Sequence, residues 1–277
     1  MGNAVAETSA GGSTGARAGA GDAPPLVIGQ VGSVLDVALN RPAKRNALND
    51  RIISDIEACF ANIPSDVGAV VLRGVGDHFS AGLDLSELSE RDATEGLIHS
   101  RTWHQAFDRI QYCRVPVVAA LAGAVIGGGL ELACAAHIRV ADASAYYALP
   151  EGQRGIFVGG GGSVRLPRLI GVAPMMDMML TGRVYSAAEG VTLGFSQYLS
   201  EPGGAHAKAM ELAQRITQNA PLTNFAVLQA LPMIAEANPQ AGFIMEALMA
   251  TVAQSDKEAK RRINDFLAHK AAKVKPT

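Results

Sequence analysis

From Leu26 onward, short β-branched runs alternate with longer segments of helical apolar period, and this alternation constrains the chain more than any other feature. Strand, turn and helix units repeated along one chain imply a sheet whose connections cross over it, the α/β pattern. VLDVALN (34–40) reads as a strand, LNDRIISDIEACFANI (48–63) as an amphipathic helix and GAVVLRG (68–74) as a buried strand. After a loop, residues 94–113 read as a helix, Pro116 restarts the chain as the strand PVVAALAG, and GGGLELACAA runs from a glycine turn into a helix. HIRVA (137–141) and YYALP (146–150) follow as strands. Beyond about residue 200 the strands stop. Helices are expected over 204–219, 221–235, 240–254 and 255–272, with Pro221 and Pro239 suited to helix starts. Their apolar stripes, Leu222, Phe225, Leu228 and Leu231, then Phe243 and Leu248, then Ile263 and Phe266, exceed what a lone appendage buries. These helices are therefore expected against the core or neighbouring subunits.

At 277 residues the chain can bury a core without a disulfide or metal staple. Residues 1–25 are mostly Gly, Ala, Ser and Thr, with too little to bury to offset the entropy of ordering, so a disordered tail is expected. A core over 26–203 and a C-terminal helical oligomerisation region over 204–277 complete the expected organisation. The first 25 residues lack both the several arginines of a transit peptide and the apolar stretch of a secretory signal. No apolar run reaches the roughly 18 to 20 residues of a spanning helix. A soluble, cytoplasmic protein is expected, with no membrane association. Cys59, Cys113 and Cys134 have no CxxC or Cys/His ligand spacing, so they read as buried reduced thiols and no metal site is expected. A formal net charge of −2, with both signs mixed along the chain, offers no field for nucleic acid. The basic cluster from Lys257 to Lys275 reads as a solvated helix face.

Two glycine-rich turns stand out, FSAGLDL (79–85) and AGAVIGGGLELA (122–133). Neither matches the nucleotide-binding glycine patterns. Glycine allows backbone to approach a ligand closely, so each turn can aim main-chain N–H groups at one point, and a pair of such groups makes an oxyanion hole. Taken singly, each is also what any tight turn looks like. Glu131 follows the second turn at the start of an otherwise apolar helix, where an ionised side chain is expensive unless it is hydrogen-bonded or functional. Glu151 follows the strand YYALP. Two acids delivered on either side of a glycine site suit hydration, one carboxylate deprotonating water while the other supplies a proton. For Glu131 alone, a helix-start acid favouring the dipole is an equal explanation.

From about Leu26 to Lys270 the chain resembles the enoyl-CoA hydratase/isomerase (crotonase) family. The matching pieces are LNRPAKRNALN (39–49), FSAGLDL, PVVAALAGAVIGGGLELACAAHIRVAD (116–142), PEGQRGI (150–156), LPRLIG and LTGRVYSAAEGVTLG (180–194). The resemblance implies a repeated ββα spiral core, an acyl-CoA substrate and no cofactor beyond the coenzyme A that the substrate carries. It places an oxyanion hole at the N–H groups of Leu83 and Gly128 and makes Glu131 and Glu151 the catalytic acids, 20 positions apart as in family hydratases. It sets Lys44 near the CoA phosphates and the backbone of Ser80, Ala81, Asp84 and Leu85 near the adenine. Members are typically trimers paired into hexamers, and C-terminal helices bearing residues such as Phe266 can complete a neighbour's pocket, although packing is the expected role here.

Within the family, retention of both glutamates favours hydration over isomerisation. The aryl-CoA dehalogenase branch has a nucleophilic aspartate where this chain has Gly159 and an aromatic where it has Glu151, which excludes that chemistry. His104 matches that branch's basic histidine, so a pocket-facing histidine that assists hydrolysis or shapes the site is expected. The RNA-binding branch carries a lysine comb on its first long helix, whereas this chain has Arg51 with Asp55 and Glu57. Where the family reads GxxPGxGG, this chain reads GIFVGGGG (155–162), which predicts a freer loop. The ALPEGQRGIF stretch is closest to the methylthioacryloyl-CoA hydratase branch, whose members release CoA after hydration. Isomerase and hydratase-lyase activities stay open, since substrate choice is expected to lie in that turn and in the loop from about Ser86 to Ser100.

Overall fold

The computed structural model describes residues 23–87, 91–268 and 270. Residues 1–22 of the tail expected over 1–25, part of the loop after Ser86, and the basic residues Lys273 and Lys275 lie outside them, whereas the end of that tail is ordered, with Pro25 buried and the Pro24 and Pro25 carbonyls accepting from Asn40. The chain runs β1 (Leu26–Val31), β2 (Val34–Leu39), α1 (Asp50–Ala61), β3 (Ala69–Gly74), α2 (Ala93–Gln111), β4 (Val117–Leu121), β5 (Ala124–Ile126), α3 (Gly128–Ala135), β6 (Ile138–Asp142) and β7 (Tyr146–Ala148). It continues α4 (Gly162–Ile170), α5 (Val172–Thr181), β8 (Tyr185–Ser186), α6 (Ala187–Leu193), β9 (Tyr198–Ser200), α7 (Ala205–Ile216), α8 (Pro221–Glu236), α9 (Pro239–Ser255) and α10 (Lys257–Leu267).

One sheet has the order β1-β2-β3-β4-β6-β9, antiparallel at the first hairpin and parallel thereafter. A second sheet, β5-β7-β8, is extended by isolated parallel bridges between Ser80 and Val125 and between Leu48 and Leu83. Successive turns of chain pass from the first sheet to the second and then into a helix, as in β4, β5, α3 and β6, β7, α4. This is the repeated ββα spiral of the crotonase fold.

The parallel strands are apolar on both faces because both faces are covered. Every residue of β4 is buried. On one face lie the side chains that α1 turns inward, Ile52, Ile53, Ile56 and Phe60, together with Trp103, Phe107 and Ile110 of α2. Both helices start on side-chain caps, Asn49 for α1 and an Asp92/Glu95 capping box for α2. The other face is closed by α7, whose Ala205, Ala209, Leu212 and Ala213 pack on Val34, Val71, Val118 and Val140. Small residues let that helix lie close to the sheet. Helices α8 to α10 bury far less: Phe225, Leu231, Phe243, Leu248, Ile263 and Phe266 are all exposed, while Leu228 is buried. Helices α4 to α6 answer to no segment read as helical from sequence, since Pro167 interrupts the periodicity of α4 and Gly171, with φ of 83°, divides it from α5. The three cysteines are free thiols, and burial pushes Cys59 and Cys134 up to about 11.

Candidate active site

The two glycine turns touch. Ser80 N–H donates to Ala124 O and Ser80 O accepts from Ile126 N–H, so the first turn runs alongside β5. The Ser80 hydroxyl is wholly internal, donating to Asn46 O at 2.8 Å and accepting from Gly82 N–H at 3.1 Å. Gly82 has φ of +85°, and a Cβ there would stand 2.6 Å from Ile126 O and 3.1 Å from Gly128 N. Only glycine permits both the dihedral and the approach. A Cβ on Gly128 would lie 3.6 Å from Leu83 N and strike the Trp103 ring at 2.7 Å. The Leu83 and Gly128 amides therefore flank one small volume, and neither has a protein acceptor among the described residues. Gly128 opens α3, so the helix dipole adds positive potential there.

Both glutamates reach the same cavity, which holds roughly 370 Å³ and is lined by Leu83, Gly128, Glu131 and Glu151 among others. Every residue of α3 is buried, Glu131 included. Its carboxylate does not face its own helix start. Instead, Oε1 accepts from the N–H groups of Gly160 at 2.9 Å and Gly162 at 2.7 Å, the latter at the first turn of α4. Burial pushes the Glu131 carboxyl up, against the Gly162 and Gly160 donors and the charge of Arg165. Glu151 is placed by β7, whose Ala148 O accepts from Gly127 N–H at 2.9 Å and so ties the second glycine turn to it. Glu151 Oε2 is buried with no hydrogen-bond partner among the described residues. Burial, with the Glu131 charge adding to it, pushes Glu151 up to about 7. A carboxyl that exchanges its proton near neutrality and a second held by N–H donors on the same cavity are chemically able to serve as an acid/base pair, and two free amides beside them can stabilise a developing oxyanion.

Other expected site residues divide. Ala81, Leu85 and Gly159 line the cavity, and Gly159 O accepts from Ser100 Oγ at 2.6 Å. Lys44 sits in an adjacent cleft with Arg41 and Arg51, its Nζ 2.9 Å from Asp84 Oδ2 and 2.8 Å from Ser86 Oγ. Asp84 is buried, and although burial opposes it, hydrogen bonds from Ser86, Lys44 and Arg41 hold its carboxyl well below the usual range. Asp84 thus anchors two cations. His104 does not line the cavity as expected. It lies behind the glycine turn, 3.5 Å from Ser100 Oγ, and burial with Arg101 and Arg165 nearby lowers its pKa. His99 takes the pocket-facing place: it accepts from Trp103 Nε1–H at 3.1 Å and stands 2.9 Å from Asp50 Oδ1. Arg91, Trp103, Arg154 and Phe157 also line the cavity without having been singled out from sequence. For His99 a signal existed, since it lies one helical turn before Trp103 on the buried face of α2.

The GIFVGGGG segment is tethered rather than free. Ser100 holds Gly159 O, Glu131 takes the N–H groups of Gly160 and Gly162, and Arg165 holds Gly160 O. Proline is not needed where side chains from α2, α3 and α4 grip the turn.

A ββα spiral in which two buried carboxyls and two unengaged amides converge on one cavity defines an enzyme of the enoyl-CoA hydratase type, a lyase. Comparison with known proteins agrees. The chain belongs to the enoyl-CoA hydratase/isomerase family, whose model matches residues 29–275. It is 34% identical over 200 residues to the short-chain-enoyl-CoA hydratase of Clostridium acetobutylicum, covering 71% of this chain and 77% of that protein. It is 31% identical over 246 residues to the 2,3-dehydroadipyl-CoA hydratase of Escherichia coli K12, covering 87% and 95%. A crystal structure from Rhodopseudomonas palustris CGA009, provisionally called an enoyl-CoA hydratase, superposes with a TM-score of 0.87 at 76% identity over 90% of this chain and 97% of that one. No helix among the described residues is long and apolar enough to cross a membrane.

Proposed function

We propose that this chain adds water across the 2,3-double bond of a short acyl-CoA thioester. The Leu83 and Gly128 amides polarise the thioester carbonyl, and enolate charge develops on its oxygen. In its carboxylate form, held by two N–H donors, Glu131 takes a proton from a water that attacks C3. Glu151 carries the proton delivered to C2. Lys44, held by Asp84 and Ser86, meets the CoA phosphates, and the segment Ala81 to Leu85 runs beside the adenine, while Ser80, fully buried and bonded internally, only supports that segment. The observation that carries this reading is the convergence of both carboxyls on the cavity that the two amides flank. The exposed apolar residues of α8 to α10 support self-association as a trimer or hexamer.

Turnover of crotonyl-CoA, or of a better substrate from a panel of short, branched, aromatic and sulfur-containing enoyl-CoAs, tests it. Glu131→Gln and Glu151→Gln should each lower kcat by about 10² or more with folding intact. Near-wild-type turnover by either variant on the preferred substrate removes that residue from the mechanism. Product mass separates the neighbouring chemistries: water gained means hydration, CoA freed means a following thioester hydrolysis, and unchanged mass means isomerisation.

A further inference from the structure

The Gly159–Gly162 turn is gripped from two sides. On the cavity side its N–H groups hold Glu131. On the reverse side lies the guanidinium of Arg165, a side chain only 8% exposed. Its Nη1 donates to Gly160 O at 3.0 Å, its Nε to Gln111 Oε1 at 2.5 Å and its Nη2 to Asp108 Oδ1 at 2.6 Å. A Cβ on Gly161 would come within 2.3 Å of Nη1 and 3.3 Å of Cζ, so the guanidinium abuts the turn through Nη1 and leaves no room for a side chain there. Arg165 is not among the residues that line the cavity. Three donors in a rigid fork bind one loop carbonyl and two side chains of α2 at once, which a lysine cannot reproduce.

We infer that Arg165 is a positioning residue for Glu131: clamped to α2, it aims the Gly160 and Gly162 N–H groups at Oε1, and its charge favours the carboxylate form. The inference rests on the acid/base reading above but assigns a role to a residue that never touches substrate. The charged and titratable groups around Glu131 are Glu151 and Arg154 beyond β7, His99 of α2 and Arg91 across the shared cavity, Cys134 on α3, Arg165 on α4, and through Arg165 the α2 residues Asp108, His104 and Arg101. Of these, Arg165 is tied to the carboxylate through the hydrogen bonds of Gly160.

The test is a titration of the Glu131 carboxyl by NMR in the full chain, using carboxyl-labelled glutamate with the signal assigned by its loss in Glu131→Gln, beside the pH profile of kcat. Arg165→Met should raise the Glu131 midpoint by about one pH unit. It should also move the acid limb of kcat the same way and lower kcat roughly tenfold, with KM changed less than about threefold. Arg165→Lys should recover most of the titration but not kcat. Asp108→Asn, which uncovers the guanidinium charge from an exposed flank, should move the midpoint down. Opposite shifts from the two ends of one ion pair are not produced by a merely structural role. A midpoint unmoved in folded Arg165→Met, or shifted upward by Asp108→Asn, overturns the inference; should Arg165→Met not fold, Arg165→Lys and Asp108→Asn decide it. The titration needs no turnover, so a wild-type protein without hydratase activity would count against the proposed function and leave this result readable.

Discussion

Replacing Glu151 with glutamine should make the protein more stable at alkaline pH while it removes activity. Glu151 is buried, its Oε2 has no partner among the described residues, and it is pushed from the ordinary 4.5 up to about 7. At about 1.36 kcal/mol for each pH unit, the difference corresponds to roughly 3 kcal/mol. Because the unfolded chain loses this proton near pH 4.5 and the folded chain keeps it until about 7, folding takes up a proton between the two. Stability therefore falls as pH rises through that window, and the whole penalty is present above it. Glutamine does not titrate, so the variant escapes the decline. The stability of Glu151→Gln relative to wild type, from urea or thermal unfolding at fixed protein concentration, should grow by about 2 to 3 kcal/mol between about pH 4.5 and pH 8.5. In thermal terms that is on the order of 5 to 10 °C for a domain of this size. A relative stability that stays flat across this range would show that Glu151 is solvated or paired, and the proton-donor role would lose its physical basis.

Gly128→Ala should lower kcat by about 10² to 10³, because the added methyl meets Trp103 and crowds the volume flanked by the Leu83 amide; steady-state kinetics with a folded variant checks this, and a loss confined to KM would contradict it. His137 accepts from Val117 N–H through Nδ1 and faces Gln111 O through Nε2, and burial pushes it down to about 4. Its contribution is complete above the unfolded value of 6.5 and is lost as pH falls toward 4, by roughly 3 kcal/mol, so His137→Gln should flatten the acid limb of the unfolding free energy. Phe243, 71% exposed on α9, should be covered in the self-associated protein, and Phe243→Glu should lower the mass measured by light scattering.

The candidate site was legible in the sequence because its residues are carried by local segments. A glycine turn before an apolar helix start and an acid after a short strand can be recognised within ten or so residues, and the positive φ and close backbone approach at Gly82 are met by glycine alone. The ββα spiral was implied only by the resemblance to the family, whereas the α/β alternation was legible because strand and helix periods differ along the sequence. Helices α4 to α6 were not, because Pro167 and the Met-rich α5 blur the period and only packing makes them helical.

Sequence by itself determined the family and, through that resemblance, the spiral, and it singled out Glu131 and Glu151 as candidates, because these are written in short segments with characteristic residues. Tertiary structure alone decided which histidine of α2 faces the cavity, because His99 and His104, five residues apart, are turned from each other by about 140° around the helix. It also decided that four successive glycines form a gripped turn and that one carboxyl is held by two N–H donors while the other keeps a bare oxygen. Those outcomes depend on partners far along the chain, such as Gly160 and Gly162, 29 and 31 residues from Glu131, and Ser100, 59 residues from Gly159, whose approach is set by how α2, α3 and α4 pack.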